Sequence, residues 1–296
     1  MRLKIIGVII LIFIILFAVY EIAPAQPTHK IQYGTNINEF TFYQASLLKK
    51  AGITWIRSDY DVPGWNQILG IAEYYNISVL GIFDYASLPN GFTYQNWNAT
   101  IQYATTTYPQ VAAWEIWNEP DQPNFYYGIQ NGSAQQYFTL LKYAYAIIHK
   151  NDPKAQVIAL GGYDIPANTS QLNWVNTLFS LGISNYSTAI SLHLYPGYFS
   201  SEPAPAILAY QTLIDYIKTK TSEPIWITET GTTVDQSTYI TEAYTAFIKE
   251  GITHIFWYNS QDNSPTNVSQ QFGLLNYYGV PKPSYYTLQN FTREYP

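Results

Sequence analysis

The chain of 296 residues contains no cysteine. Disulfide bridges, thiolate metal sites and a cysteine nucleophile are therefore excluded. Only four histidines occur, and none falls in an H-x-x-x-H or H-E-x-x-H spacing, so the common zinc patterns are absent as well. Charge is scarce: 14 Lys and Arg stand against 20 Asp and Glu, 11% of residues together, for a net charge of −6. No basic stripe exists, which argues against a nucleic-acid partner. No G-x-G-x-x-G or phosphate-cradling loop follows any candidate strand, so a nucleotide cofactor has no support. Nothing in the residue set asks for any cofactor or metal. Asp121, Asp164 and Asp262 could gather a calcium ion, but no spacing specifies one. A surface so poor in charge suits an acidic medium, where carboxylates stop contributing charge.

Apolar and aromatic residues are abundant instead. Hydrophobic residues make up 47% and aromatic ones 17%, with 29 Tyr and 8 Trp. That supplies a large core, and tyrosine and tryptophan also form surfaces on which sugars stack. At the N-terminus, Arg2 and Lys4 precede an uncharged apolar run from Ile5 to Tyr20, and Ala23-Pro24-Ala25 follows at the spacing of a cleavage site. Residues 1–25 read as a signal peptide or as an N-terminal membrane anchor through residues 5–20, and both readings stay open. Either way the remainder is expected to be extracellular or at the cell surface. Seven N-x-S/T triplets, at Asn76, Asn98, Asn131, Asn168, Asn185, Asn267 and Asn290, suit a secreted glycoprotein.

From residue 26 onward, β-rich apolar runs alternate with amphipathic stretches. Strand candidates are Ile31–Thr35, Thr54–Arg57, Ile77–Asp84, Val111–Trp117, Gln156–Gly161, Ala189–Tyr195, Pro224–Thr230 and His254–Asn259. Helix candidates are Thr41–Ala51, Trp65–Tyr75, Gln95–Thr107, Ala134–Lys150, Gln171–Leu181, Ala204–Lys220, Ser237–Lys249 and Pro283–Phe291. Parallel strands need crossover helices, and strands covered on both faces read as near-continuous apolar runs. The pattern predicts an α/β fold, a (β/α)₈ TIM barrel, as a single domain over residues 26–296. The connection Ser260–Lys282 is long for a barrel loop.

Barrel enzymes carry their chemistry at the C-terminal ends of the strands. Strand four ends in Asn118-Glu119-Pro120, and strand seven in Ile227-Thr228-Glu229. Two glutamates thus face each other across the mouth, which is what glycoside hydrolysis requires. One carboxyl protonates the departing oxygen; the other attacks the anomeric carbon or activates a water. Glu115 alternates with Trp114 and Ile116 and reads instead as a structural polar residue pointing into the barrel.

These segments resemble the clan of retaining glycosidases on (β/α)₈ barrels that includes glycoside hydrolase families 5 and 39. The resemblance implies that Glu119 is the acid/base, that Asn118 contacts the sugar 2-hydroxyl, and that Glu229 is the nucleophile. His193-Leu194-Tyr195 is similar to the clan's H-x-Y, whose tyrosine bonds the nucleophile. Arg57 sits where the clan often places an arginine that also contacts it, and Trp257 matches an aromatic platform under the sugar. The segment from Phe272 to Tyr285 resembles the clan's closing segment. One departure is Phe83-Asp84-Tyr85, where some members carry a histidine. Each residue also has an ordinary reading: Arg57 could pair with Asp59 or Asp61, His193 could be a satisfied barrel histidine, and Trp257 could be core. Trp65, Tyr85, Tyr94, Trp97, Phe125, Tyr126, Tyr127, Tyr198 and Phe199 could line sugar subsites or simply pack.

The resulting expectation is a retaining hydrolase of β-linked glycans of glucan, mannan or xylan type, with a carbohydrate as its partner. The rivals are a transglycosidase, a non-catalytic carbohydrate-binding or cell-surface protein on the same barrel, and an envelope structural protein.

Overall fold

The computed structural model describes residues 30–60, 64–88, 91–122, 132–166, 168–196 and 203–296. The leader of residues 1–25 lies outside the described residues, as do Asp61, Asn131 and the loop aromatics Phe125, Tyr126, Tyr127, Tyr198 and Phe199. Among the described residues, no helix is long and apolar enough to cross a membrane.

Strand and helix alternate throughout. β1 (Gln32–Asn36) leads to α1 (Phe42–Lys50), β2 (Trp55–Asp59) to α2 (Trp65–Tyr74), β3 (Ser78–Phe83) to α3 (Tyr94–Thr107), and β4 (Ala113–Ile116) to α4 (Ala134–Asn151). β5 (Gln156–Tyr163) leads to α5 (Thr169–Ser180), β6 (Ala189–Leu194) to α6 (Pro203–Lys218), β7 (Ile225–Thr230) to α7 (Gln236–Lys249), and β8 (His254–Trp257) to α8 (Pro283–Glu294). The strands close in sequence order, and β8 pairs in parallel with β1. The fold is the (β/α)₈ barrel that the alternation predicts. β4 stops short of the expected Trp117 because the backbone there turns left-handed, at φ 72°.

Local chemistry sets the helix starts. Thr41 and Gln44 form a reciprocal capping box at α1, each side chain accepting from the other's backbone N–H. Asn168 caps α5 by accepting from the N–H groups of Ser170 and Gln171.

Strand alternation divides each strand's side chains between two cores. The outward-facing residues, such as Ile56, Val79, Trp114, Ile227 and Ile255, meet the helices. The inward-facing Trp55, Leu80, Ala113, Ile158, Ala189, Trp226 and Phe256 plug the barrel. Trp226 stacks on His254 at 3.7 Å, and this partly buried imidazole is held near a pKa of about 4 by burial. Directly above the plug the inward positions turn polar, with Asn36, Arg57, Glu115 and Thr228 all buried. A water-excluding floor therefore lies beneath a polar layer at the C-terminal mouth.

The long connection after β8 is ordered. It holds a 3₁₀ turn at Val268–Gln270 and bridges pairing Leu275 with Gln261 and Pro281. Lys282 Nζ lies 3.0 Å from Asp262 Oδ1 and donates to the carbonyl of Gln271.

Candidate active site

Arg57 shares its inward parity on β2 with Trp55 and rises from the plug into the polar layer. It is 2% exposed. Its Nε donates to Glu115 Oε2 at 2.5 Å, and its Nη1 donates to Glu229 Oε1 at 2.5 Å and to Asn36 Oδ1 at 2.7 Å. Its Nη2 donates to Asn118 Oδ1 at 2.9 Å. Burial opposes the guanidinium charge, but Glu115 and Glu229 outweigh it and raise its pKa further. One cation thus ties together β1, β2, β4 and β7, and Asp59 contributes less to its charge balance than Glu115 and Glu229.

Glu229 ends β7 with both carboxylate oxygens occupied. Oε2 accepts from the Tyr195 hydroxyl at 2.5 Å. Burial pushes its pKa up, but His193, Arg57 and the Tyr195 hydroxyl outweigh that and hold it below the ordinary glutamate value. Tyr195 itself is pushed well above its usual pKa, by burial and by the charge of Glu229, so it remains a donor.

Glu119 stands across the mouth on a turn of unusual backbone. Trp117 and Glu119 have φ of 72° and 46°. A left-handed conformation costs an ordinary residue about 1–2 kcal/mol, and strain of this kind concentrates where side chains must be aimed. The strand beside it makes room. Glu119 N–H donates to the carbonyl of Gly161 at 2.6 Å, and Gly161 and Gly162 have φ of 59° and 83°. A Cβ on Gly162 would stand 2.1 Å from His193 Nε2, so no larger residue fits there.

His193 links the two glutamates. Its Nδ1 lies 2.8 Å from Glu119 Oε1 and 3.7 Å from Glu229 Oε2. Its Nε2 is 3.4 Å from Arg57 Nη2, so Nδ1 is the nitrogen that presents hydrogen to Glu119. Burial lowers the imidazole's pKa, but Glu229 and the bond to Glu119 outweigh it and raise it. The three ligand-type atoms of Glu119, His193 and Glu229 lie within 4.8 Å of one another. A carboxylate oxygen of Glu119 is therefore within 4.8 Å of one of Glu229. Although such a spacing resembles a metal site, the Arg57 cation already occupies Glu229. Asp121, Asp164 and Asp262 do not form a metal cluster among the described residues; Asp262 is held by Lys282 and the N–H of Gly273.

Five of the residues singled out in the sequence besides the two glutamates were Arg57, Asn118, His193, Tyr195 and Trp257. The first four join the cluster. Asn118 joins through its Oδ1, which accepts from Arg57. Trp257 does not join, which corrects the expectation of a platform. It lies on the outward face of β8 with Ile255, is 0% exposed, and donates its indole N–H to the Phe272 carbonyl. The aromatic ring facing the mouth belongs to Tyr258, one residue on and of opposite parity. That ring is half-buried and edge-on to Tyr195 at 6.2 Å, and its pKa is pushed up to about 12 by burial and by Glu229. Trp65 and Trp97 are likewise core, while Tyr85 and Tyr94 are exposed.

Sequence reasoning missed Asn36, which accepts from Arg57 and donates to the Thr228 carbonyl at 3.1 Å. Its only signal was its place at the end of β1. Glu115 is the structural polar residue expected: 0% exposed, and held by Arg57 and by the Thr228 hydroxyl at 2.9 Å. Three further acids near the site have raised pKa values, Asp84 and Asp121 buried and Asp164 half-buried. Asp84 and Asp121 are pushed up to about 7 and Asp164 to about 6, chiefly by burial.

Known proteins resemble this chain in sequence and in fold. A β-xylosidase of Caldicellulosiruptor saccharolyticus is 31% identical over 212 residues, which is 61% of this chain and 41% of that protein. The chain thus spans about two fifths of the length of that curated relative. Among solved structures, a GH39 enzyme from Xanthomonas axonopodis pv. citri superposes with a TM-score of 0.69 at 16% identity, covering 93% of this chain and 68% of that one. A monomeric β-xylosidase from Caulobacter crescentus CB15 gives 0.67 at 16% identity, covering 90% and 69%. At such identities these structures speak to the fold alone. The family described as cellulase (glycosyl hydrolase family 5) matches residues 84–263, a span that holds Glu119, His193, Tyr195 and Glu229. The chain belongs to the cellulase family, glycosyl hydrolase family 5.

Proposed function

We propose that the protein hydrolyses β-linked glycosides with retention, through a covalent intermediate on Glu229. The observation that carries this reading is that one carboxylate oxygen of Glu119 approaches one of Glu229 to within 4.8 Å, which favours the closer of the two spacings used by glycosidases. Retaining enzymes hold the pair about 5–5.5 Å apart, whereas inverting enzymes need about 6.5–9.5 Å to admit a water.

Glu229 is ionised and oriented by Arg57 and Tyr195. It attacks the anomeric carbon while Glu119 gives its proton to the departing oxygen. The bond from carbon to the leaving oxygen breaks as the bond to Glu229 forms. Loss of the Glu229 charge then leaves Arg57 balanced by Glu115. A water enters, Glu119 takes its proton, and the hydroxyl displaces Glu229 from the anomeric carbon. Asn118 presents its amide donor to the sugar, where a hydrogen bond that tightens as charge develops accelerates the reaction. Tyr258, rather than Trp257, supplies the ring beneath the sugar. No step calls for a cofactor.

The substrate class is β-xylan or β-glucan and oligosaccharides from them, in keeping with the family and with the β-xylosidase relative. The apolar leader and the N-x-S/T triplets support export to the cell surface or beyond.

Proton NMR of the first-formed product tests the reading. Release of the β-anomer before mutarotation is expected. First appearance of the α-anomer would mean inversion. Sugar binding without release from any glycoside would favour the non-catalytic rival.

A further inference from the structure

The turn that carries Glu119 is strained and must be held. Glu119 has φ 46°, a left-handed conformation that is costly for a residue with a Cβ and persists only where its surroundings over-determine it. Two tethers come from the backbone: Glu119 N–H donates to the Gly161 carbonyl at 2.6 Å, and Gln122 N–H donates to the Glu119 carbonyl at 3.0 Å. Pro120 stiffens the next step, because its ring fixes φ. It packs so closely on the neighbouring strand that a Cβ on Gly161 would lie 2.9 Å from Pro120 Cδ.

A further tether is a side chain. Asp121 is 4% exposed, and its Oδ2 accepts from Nε2 of Gln171 at 3.1 Å. Gln171 is itself fixed in the first turn of α5. It is buried, its N–H donates to the capping Oδ1 of Asn168 at 3.1 Å, and its carbonyl accepts from the Tyr163 hydroxyl at 3.1 Å. We propose that Asp121 is a positioning residue for the proton-transferring carboxyl: its hydrogen bond to Gln171 fastens the turn to α5 and so aims Glu119 at the leaving oxygen. The proposal rests on the glycoside hydrolase reading above, in which Glu119 is the acid/base.

The surroundings of Asp121 suit an uncharged acid. Its Oδ1 is buried with no partner, and the side-chain donor on Oδ2 is a neutral amide. The neighbouring charges that act on it are those of Glu119 and Asp164, both acids. Burying a charge without a counter-charge is costly. Burial accordingly outweighs the hydrogen bonds from its own N–H and from Gln171 and pushes its pKa up to about 7. The other titratable groups that feel its charge, Tyr137 and Tyr163, have pKa values raised chiefly by burial and stay neutral. A neutral Asp121 holds the turn without repelling Glu119 when that residue ionises. An asparagine has the same shape and offers Gln171 the same acceptor.

The test uses leaving groups that differ in their need for a proton. 2,4-Dinitrophenolate departs without one, whereas 4-methoxyphenolate depends on the acid, and kcat/KM reports this first chemical step. Both β-xylosides and both β-glucosides are measured with the wild type, Glu119→Ala, Asp121→Ala, Asp121→Asn and Gln171→Leu. Glu119→Ala should slow the methoxyphenyl glycosides far more than the dinitrophenyl ones. Asp121→Ala and Gln171→Leu, which break the same bond from its two ends, should show the same selectivity, with a loss of about ten- to a hundredfold on the methoxyphenyl glycosides, the scale of a small misplacement of a catalytic group. Asp121→Asn should restore most of that loss. Selective loss in Glu119→Ala but equal loss on both leaving groups in Asp121→Ala and Gln171→Leu, or no loss in either, would overturn the positioning role and leave the hydrolase reading intact. Failure of both variants to fold, followed by circular dichroism, would likewise overturn it, making the bond structural. Equal slowing of both leaving groups by Glu119→Ala, or no turnover of any glycoside by the wild type, would instead sink the reading of Glu119 as acid/base.

Discussion

Nη1 of Arg57 lies 2.5 Å from Oε1 of Glu229, deep enough in the barrel mouth that the guanidinium is 2% exposed. The contact holds the carboxylate ionised from one side while the Tyr195 hydroxyl holds it from the other. Glu229 thus has a folded pKa below its unfolded value of about 4.3. Its contribution to stability is present above that unfolded value and is lost as pH falls through the lower folded one.

The same logic predicts the behaviour of Tyr195→Phe. Removing a hydroxyl that stabilises the anion raises the pKa of Glu229. The acid limb of the kcat/KM profile should move up by about one unit, the effect of one hydrogen bond to a charged group. An unchanged acid limb with reduced kcat would show that the hydroxyl does not tune the nucleophile.

Glu115 should matter to the fold more than its distance from the substrate suggests. Removing one partner of a buried ion pair costs about 3–5 kcal/mol, because the other charge is left uncompensated. Glu115→Ala should lose stability of that order in urea unfolding. A loss below about 1 kcal/mol would contradict the placement of Glu115 as Arg57's second counter-charge.

Trp257 and Tyr258 should separate cleanly. Trp257→Ala removes a fully buried ring and should cost about 3–5 kcal/mol of stability. Tyr258→Ala should leave the melting temperature nearly unchanged while raising KM. The reverse pattern would return the platform to Trp257.

The acids with raised pKa values predict a stability maximum on the acid side. Asp84, Asp121 and Asp164 have folded pKa values raised to about 7, about 7 and about 6. A raised carboxyl stabilises the fold below its unfolded pKa and loses that contribution as pH rises through the folded value. Between about pH 4 and about pH 7 these groups should therefore lower the melting temperature as pH increases, while the contribution of Glu229, whose window lies below its unfolded pKa of about 4.3, stays constant. Asp84→Asn should flatten the slope. A melting temperature that climbs steadily from pH 5 to pH 8 would contradict the assignment.

Much of this architecture was legible in the chain, and for identifiable reasons. Buried parallel strands must be apolar on both faces, so runs such as AISLHL at Ala189–Leu194 mark themselves. The polar residues at strand ends, Arg57, Glu119, Tyr195 and Glu229, stand out against them and converge because a closed barrel brings strand ends together. Trp257 was misplaced because residue type was matched without strand parity. Phe256 is inward, so Tyr258 is the next ring toward the mouth. Asn36 left no local signal, since its partners Arg57 and Thr228 lie on two other strands, the second of them 192 residues away along the chain. The left-handed turn at Glu119 was also hidden, because neither Trp117 nor Glu119 is a residue type that favours positive φ; the room for it comes from Gly161 on the next strand.

The most direct test of the central claim is the reaction of Glu229→Ala with an activated 2,4-dinitrophenyl β-glycoside in the presence of azide. Azide can enter the space left by the carboxylate and attack the anomeric carbon from the face opposite the leaving group. The account predicts near-complete loss of hydrolysis without azide, and its recovery with azide as the α-glycosyl azide. Hydrolysis by Glu229→Ala at the wild-type rate, or loss without any glycosyl azide at high azide concentration, would contradict Glu229 as the nucleophile.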